Sequence, residues 1–323
     1  MKQHITRAYN SFIINKNLGT ITKISKELRL KNEINYYKTI ESNACSIFFP
    51  RLLTTSMSDI GYAMELEYYA YDNLGDYMVY KPFDASFWRA TATAIVDARS
   101  SFATTHKELL RDQTITTAMY IAKTEKYYYD LINNFKKFKT LSQHDTLIVD
   151  GHICRNFKDM WEDVKQCIHH ELLSLKEISV IHGDFCFSNI LCGVNEKTNT
   201  TLLKFVDPRG SFGVDGILGD PYYDAAKLIH SYEGGYEYII YDKFEIEELS
   251  PNKYNIHFAN NNKEQIARIF DEVTDLRSIK SKLIEGLIYI GMCSRHYDSE
   301  KRQTAMYLNG IKILNKVLEG KIK

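Results

Sequence analysis

The chain falls into two stretches with different spacing of hydrophobic positions. Up to about residue 70, short apolar runs alternate with turns. Ser11 to Asn15 is a short apolar run, a turn follows at Asn17-Leu18-Gly19, and Thr20 to Ser25 is rich in β-branched residues, so two strands are predicted. Leu30, Ile34, Tyr37 and Ile40 recur at helical spacing and predict a helix from Leu28 to Ile40. Phe48 to Leu53 and Tyr62 to Tyr69 read as further strands. The second runs into a Tyr-rich stretch, Tyr68 to Tyr71, suited to a hinge.

Beyond residue 70 helical spacing takes over. Phe87, Thr91, Ala94, Ala98 and Phe102 mark one helix face, and Ile115, Met119, Ala122, Tyr129 and Ile132 a second. Trp161, Val164, Ile168, Leu172 and Leu175 mark a third; Leu283, Leu287 and Ile290, then Leu308, Ile311, Leu314 and Val317, continue the pattern. One break interrupts it, between Ile178 and Gly219. Ile178 to Ile181 is short and apolar, and Ile190-Leu191-Cys192 and Leu202 to Val206 flank the polar turn Asn195 to Asn199, which predicts a strand, a loop and a hairpin.

Composition narrows the function classes. The 323 residues carry 41 Lys plus Arg and 41 Asp plus Glu, so the formal charge is zero. The basic excess or stripe of a nucleic-acid binder is missing. Apolar runs are far too short for a membrane span, and the polar N-terminus with Lys2 and Arg7 does not read as a secretory signal. The six cysteines form no C-x-x-C pair, which suits reduced thiols and a cytoplasmic protein rather than zinc or disulfides.

The candidate chemistry sits in the break. The segment runs Val180-Ile181-His182-Gly183-Asp184-Phe185-Cys186-Phe187-Ser188-Asn189, and Asp207-Pro208-Arg209-Gly210 closes the hairpin. Phosphoryl transfer needs a carboxylate beside the acceptor hydroxyl and hard oxygen ligands for Mg2+ against the phosphates. An Asp five residues before an Asn, with a second Asp after a hairpin, supplies all three. Protein kinases use the same order, with His-Arg-Asp and Asp-Phe-Gly where this chain has His-Gly-Asp and Asp-Pro-Arg-Gly.

This spelling resembles the aminoglycoside phosphotransferase and choline kinase superfamily. The resemblance implies an α+β, protein-kinase-like fold with a small β-rich N-lobe (1–70) and a larger helical C-lobe (71–323). It implies ATP, or GTP, as phosphate donor with Mg2+, and a small-molecule acceptor. Asp184 would be the base, Asn189 and Asp207 the metal ligands, and His182 a scaffold residue. The likeness extends through Gly219-Asp220-Pro221-Tyr222-Tyr223-Asp224-Ala225-Ala226-Lys227-Leu228, where Asp220 or Asp224 would brace the catalytic loop. The whole block is similar to a branch linked to capsule and surface-polysaccharide synthesis.

A kinase-like lobe also needs a strand Lys on the phosphates and a helix Glu to position it. Lys23 and Glu33 suit these roles across a gap of ten residues, short for such a lobe, and Lys26 rivals Lys23. Glu67 to Ala70, including Tyr69, would form the hinge that receives adenine through backbone groups. For the acceptor, Tyr222, Tyr223, Tyr232, Tyr236 and Tyr238 cluster with Glu233. They suit a cage for a quaternary ammonium, a stacking surface for a sugar, or plain packing. Arg295 and His296 interrupt an apolar helix face and would suit an anionic acceptor, and Arg209 would contact phosphate or pair with a loop carboxylate. Two other classes remain: a pseudokinase that binds without turnover, and a protein kinase. The second is disfavoured because only Pro208 to Gly219 separates Asp207 from Asp220 and no Ala-Pro-Glu follows. The sequence leaves the oligomeric state open.

Overall fold

A computed structural model describes residues 10–58, 60–195 and 200–321. The first nine residues and residues 196–199 of the expected hairpin turn lie outside the described residues.

Strands Asn10–Asn15 and Thr20–Ser25 form the expected hairpin, turning at Gly19 with φ +63°. Gly61–Glu67 pairs with the inner strand of that hairpin and Leu52–Ser58 completes a four-stranded antiparallel sheet. The helix Leu28–Ile40 lies against this sheet and buries Leu30, Ile34, Tyr37 and Ile40, the residues its spacing singled out. The neighbouring buried positions Lys23 and Glu33 are therefore charged groups inside an apolar interface, which requires that they be paired.

The Tyr-rich stretch leads into a two-residue strand, Asp72–Asn73, paired with Leu191–Cys192 of the later hairpin. From there helices dominate. Ala85–Thr105 starts on Asp84, whose carboxylate accepts from the Ser86 and Phe87 amides. Phe157–Glu171, Pro221–Tyr232, Ile279–Cys293 and Glu300–Leu318 supply most of the remaining core. Among the described residues no helix is long and apolar enough to cross a membrane.

Three expectations need correction. Phe48 to Leu53 is not a strand: a 3-10 turn spans Ala44–Phe48 and the strand begins at Leu52. A strand sends successive side chains to opposite faces, but Phe48 and Phe49 both pack into one aromatic cluster with Phe102 and Phe205. The helix expected across Ile115 to Ile132 contains a wide π turn at Ala118–Ala122, which offsets its two apolar faces. The helical half also holds a second four-stranded sheet that the spacing did not reveal. Phe244–Ser250 and Lys253–Phe258 form a hairpin whose second strand runs parallel to Thr146–Val149, itself paired with His152–Arg155.

Candidate active site

The strand Glu177–Val180 carries the chain into the loop that holds Asp184. Gly183 turns it with φ +77°, and a Cβ there would stand 2.8 Å from the Cβ of Arg209. Only glycine meets both demands without strain. Buried Asp224, on the helix Pro221–Tyr232, accepts the amides of His182 at 2.6 Å and Gly183 at 2.8 Å. Asp220 instead caps that helix, accepting from the Tyr222 amide and the Tyr120 hydroxyl. Of the two candidates, Asp224 therefore touches the loop and Asp220 does not.

His182 is fully buried and neutral: burial pushes its imidazole down to about 4 against the pull of Asp184 and Asp207. Its Nε2 donates to the Val206 carbonyl at 3.1 Å and its Nδ1 accepts the Asp184 amide at 3.2 Å. The ring thus ties the Asp184 turn to the end of the hairpin. Arg209 adds a second tie, its amide donating to the His182 carbonyl at 2.8 Å. Asn189 donates through Nδ2 to the Asp184 carbonyl at 2.8 Å. That bond leaves the Oδ1 of Asn189 directed elsewhere as a hard oxygen donor. Asp207 sits at φ +60°, a left-handed backbone rare outside glycine and Asn or Asp.

The charged groups form a single alternating chain. Lys23 Nζ lies 2.6 Å from Glu33 Oε2 and 2.7 Å from Asp207 Oδ1. Arg29 Nη2 lies 2.8 Å from Asp207 Oδ2 and 3.3 Å from Asp184 Oδ2. Lys227 Nζ closes the series 2.8 Å from Asp184 Oδ1. The order is Glu33, Lys23, Asp207, Arg29, Asp184, Lys227. Burial works against these charges; at Glu33 it prevails over Lys23 and pushes the carboxyl up to about 7, whereas at the two loop aspartates the neighbours win. Arg29 and Lys23 hold Asp207 down at about 2, and Lys227, Arg29 and Arg209 hold Asp184 well below the ordinary carboxylate range. Asp207 and Glu33 likewise keep Lys23 protonated against its burial. The ten-residue gap between Lys23 and Glu33 thus closes without difficulty, and Lys26 is exposed and outside this chain of ions.

Asn189 Oδ1 and the Asp207 carboxylate suit a divalent cation that completes its shell with phosphate oxygens and water. Among the described residues no group of three or more His, Cys, Asp or Glu side chains could hold a metal by itself. So few protein ligands are compatible with Mg2+ that is bound together with a nucleotide, because phosphate oxygens and water fill the other positions.

Other expected residues scatter. Glu67 and Tyr69 bond to each other at 3.1 Å, and Glu67 also meets Arg51. Tyr232, expected among acceptor contacts, is fully buried and stacks on Phe270; Tyr238 is equally buried. Glu233 is held by Lys282 at 3.0 Å and Arg277 at 3.1 Å, so its carboxylate is engaged by cations of this chain rather than caged by the expected tyrosines. Tyr222 is part-exposed below Lys280, whereas Tyr223 faces a recess that also receives Arg209 and Arg295. His296 is buried behind the end of Ile279–Cys293 and does not line that recess. Arg29, Lys123 and Lys227 were missed by sequence reasoning. Lys227 had a signal, since Asp224 and Lys227 stand three apart on one helix face.

No family model matches the chain, and no curated protein matches it in sequence. Solved structures match it in fold. The apo form of a thermostable mutant of aminoglycoside phosphotransferase APH(4)-Ia aligns at a TM-score of 0.55 with 11% identity, over 94% of this chain and 87% of that one. Aminoglycoside phosphotransferase APH(4)-Ia itself aligns at 0.53 with 11% identity over the same shares, 94% and 87%. A ternary complex of a thermostable APH(4)-Ia mutant with AMP-PNP and hygromycin B aligns at 0.50 with 12% identity, over 93% and 86%. At such identities the likeness is one of fold. The chain has the α+β, kinase-like fold of the aminoglycoside phosphotransferases.

Proposed function

We propose that this protein is an ATP-dependent phosphotransferase that moves the γ-phosphoryl group to a hydroxyl of a small molecule. The observation that carries this reading is the ion chain, which joins a strand Lys and a helix Glu of the N-terminal sheet to the two loop aspartates. A structural turn needs none of that convergence. The shared fold supports the same reading.

In this reading residues 1–70 form the nucleotide lobe and 71–323 the catalytic lobe. Lys23, positioned by Glu33, steadies the phosphates, and backbone groups between Glu67 and Ala70 receive the base. Asp184, held ionised by Lys227, orients the acceptor hydroxyl and takes its proton. The bond from the γ-phosphorus to the β,γ-bridging oxygen breaks as the bond to the acceptor oxygen forms, and ADP leaves. Asn189 and Asp207 would hold Mg2+, which when bound neutralises charge on the phosphates. Asp224 and His182 keep the loop in register.

The test is direct. Asp184→Ala and Asp207→Ala each abolish phosphoryl transfer while circular dichroism and unfolding remain those of a folded chain. Kinase activity surviving in either variant would sink the assignment. A second reading, nucleotide binding without turnover, is favoured by one feature: the Arg29 guanidinium spans both aspartates. Mg-ATP that binds but is not consumed on any acceptor would select it.

A further inference from the structure

A recess opens beside Asp184. Lys123, Arg209, Lys227 and Arg295 line it with Tyr120 and Tyr223, over an apolar floor from the helix Ile279–Cys293. Lys227 belongs to both places: it lines the recess and lies 2.8 Å from Asp184 Oδ1, so the recess reaches the proposed base.

Charge sets this recess apart. The six-membered ion chain pairs each cation with a carboxylate and is neutral as a whole. Lys123 and Arg209 stand outside it. Among the described residues neither has a carboxylate within ion-pair distance. The Lys123 ammonium stands over the Tyr223 ring at 5.7 Å, and the Arg295 guanidinium over the Tyr127 ring at 5.8 Å. Burial, together with Arg209, Arg295 and Lys227, pushes the Lys123 ammonium well below its ordinary range. Lys123 and Arg209, like charges in one recess with no carboxylate at ion-pair distance, oppose each other, and the protonated form of Lys123 suffers for it. An entering anion relieves them.

Cationic acceptors fit poorly. Glu233, the carboxylate among the tyrosines first considered, is already held by Lys282 and Arg277, and Asp220 is buried and engaged by the Tyr120 hydroxyl at 2.6 Å. Among the described residues no acidic side chain lines the recess, and Asp184, which it reaches through Lys227, has one oxygen held by that ammonium. Of the tyrosines that line it, Tyr120 has its hydroxyl committed to Asp220 and offers only its ring, whereas Tyr223 offers ring and hydroxyl to a polyol.

Resting on the phosphotransferase reading, we infer that the acceptor is a small polyhydroxy compound carrying its own anionic group, a carboxylate or a phosphate ester. Lys123 and Arg209 hold that group while a hydroxyl of the same molecule is presented to Asp184. Arg209 is well placed to do so, because its amide is bonded to the His182 carbonyl, two residues before the base. Anchor and base therefore share one rigid turn. Phosphoryl transfer then proceeds as above, the hydroxyl proton passing to Asp184 and the phosphorus to the acceptor oxygen.

The experiment uses the full chain saturated with Mg-ADP, so that the nucleotide cleft cannot capture the probe. A hexuronic acid, a hexose monophosphate, a neutral hexose and an aminoglycoside are titrated by calorimetry, then offered as acceptors with ATP. The acid, the phosphate ester or both bind at least about tenfold more tightly than the neutral hexose, and the comparison of the two identifies the anionic group. Lys123→Met and Arg209→Met each weaken anion binding about tenfold or more, with Mg-ADP affinity unchanged, and Lys123→Arg restores it. Equal or tighter binding of the neutral or cationic compound overturns the inference, as does anion binding indifferent to both variants. If Mg-ADP does not bind, or Asp184→Ala still turns over, the phosphotransferase reading falls and takes this inference with it. ADP binding with no preference for an anionic acceptor sinks this inference alone.

Discussion

Asp224 offers the sharpest separation of stability from catalysis. It is buried and accepts two backbone amides, from His182 at 2.6 Å and Gly183 at 2.8 Å. Asp224→Ala leaves both donors without an acceptor, at about 1–3 kcal/mol each, or about 2–6 kcal/mol in all. An opposing effect exists. Burial, moderated by those two bonds, has pushed the carboxyl from 3.8 up to about 6. At about 1.4 kcal/mol per pH unit, keeping it ionised at neutral pH costs the fold about 3 kcal/mol. Removing the side chain returns that cost. The net loss is therefore small, between about −1 and +3 kcal/mol.

Catalysis has no such compensation. Gly183 and Asp184 follow the tethered amides directly, and a shift of about 1 Å in a reacting group lowers rate about a hundredfold. The expected result is a kcat about a hundredfold down in a protein whose urea unfolding free energy has barely moved. A kcat within about threefold of the parent would refute the bracing role. The pH dependence gives an independent check. The folded chain protonates this group near 6 and the unfolded chain near 3.8. Between those values the folded state holds more protons, so the group's contribution to stability rises as pH falls from 7 toward 4. Asp224→Asn removes that gain, and the stability difference between parent and variant must change across this window in the parent's favour. A flat difference would show that Asp224 is not the group titrating there.

Three further outcomes are expected. Arg29→Met removes a cation that holds both Asp184 and Asp207 down, so the acid limb of the kcat/KM profile moves to higher pH; an unmoved limb would show that Arg29 does not act on the reacting carboxylates. Asn189→Ala raises the Mg2+ concentration for half-maximal turnover about tenfold or more, and Asn189→Asp restores it, as read from activity against added metal. Gly210→Ala destabilises by about 2 kcal/mol or more in urea unfolding, since Gly210 sits at φ +63° and a methyl there would overlap the Asn32 carbonyl of the first helix.

Local patterns were legible and distant ones were not. The helix Leu28–Ile40 could be read to its ends because four apolar residues at helical spacing lie between short polar stretches. The loop around Asp184 stood out because it is polar where its surroundings are periodic. Arg29 carried no signal, since its meaning comes from partners 155 and 178 residues away. The sheet formed by Thr146–Val149, His152–Arg155 and the hairpin Phe244–Phe258 failed for a related reason. Its strands are short and its parallel contact spans about a hundred residues of sequence. One local clue existed, the Asp150-Gly151 turn, whose φ values of 51° and 78° are those of a tight hairpin. Tyrosine composition misled at Tyr232 and Tyr238, because an aromatic-rich segment looks the same whether it faces a ligand or the core.

The ion chain bears on selectivity as well as on turnover. With Lys23, Arg29 and Lys227 balanced by Glu33, Asp207 and Asp184, the field felt by an acceptor is set by charges outside the chain, chiefly Lys123 and Arg209. A like-charge pair about 5 Å apart at an effective dielectric of about 20 costs about 3 kcal/mol, and an opposite pair gains as much. A hydroxyl contact contributes about 0.5–1.5 kcal/mol net. One charge on the acceptor therefore outweighs two or three hydroxyls. Two molecules with the same ring and the same reacting hydroxyl, one bearing an amine and the other a carboxylate, would differ in affinity by more than all their hydroxyl contacts could restore. The fold is shared with enzymes named for aminoglycosides, yet the charges beside Asp184 select the opposite sign of acceptor.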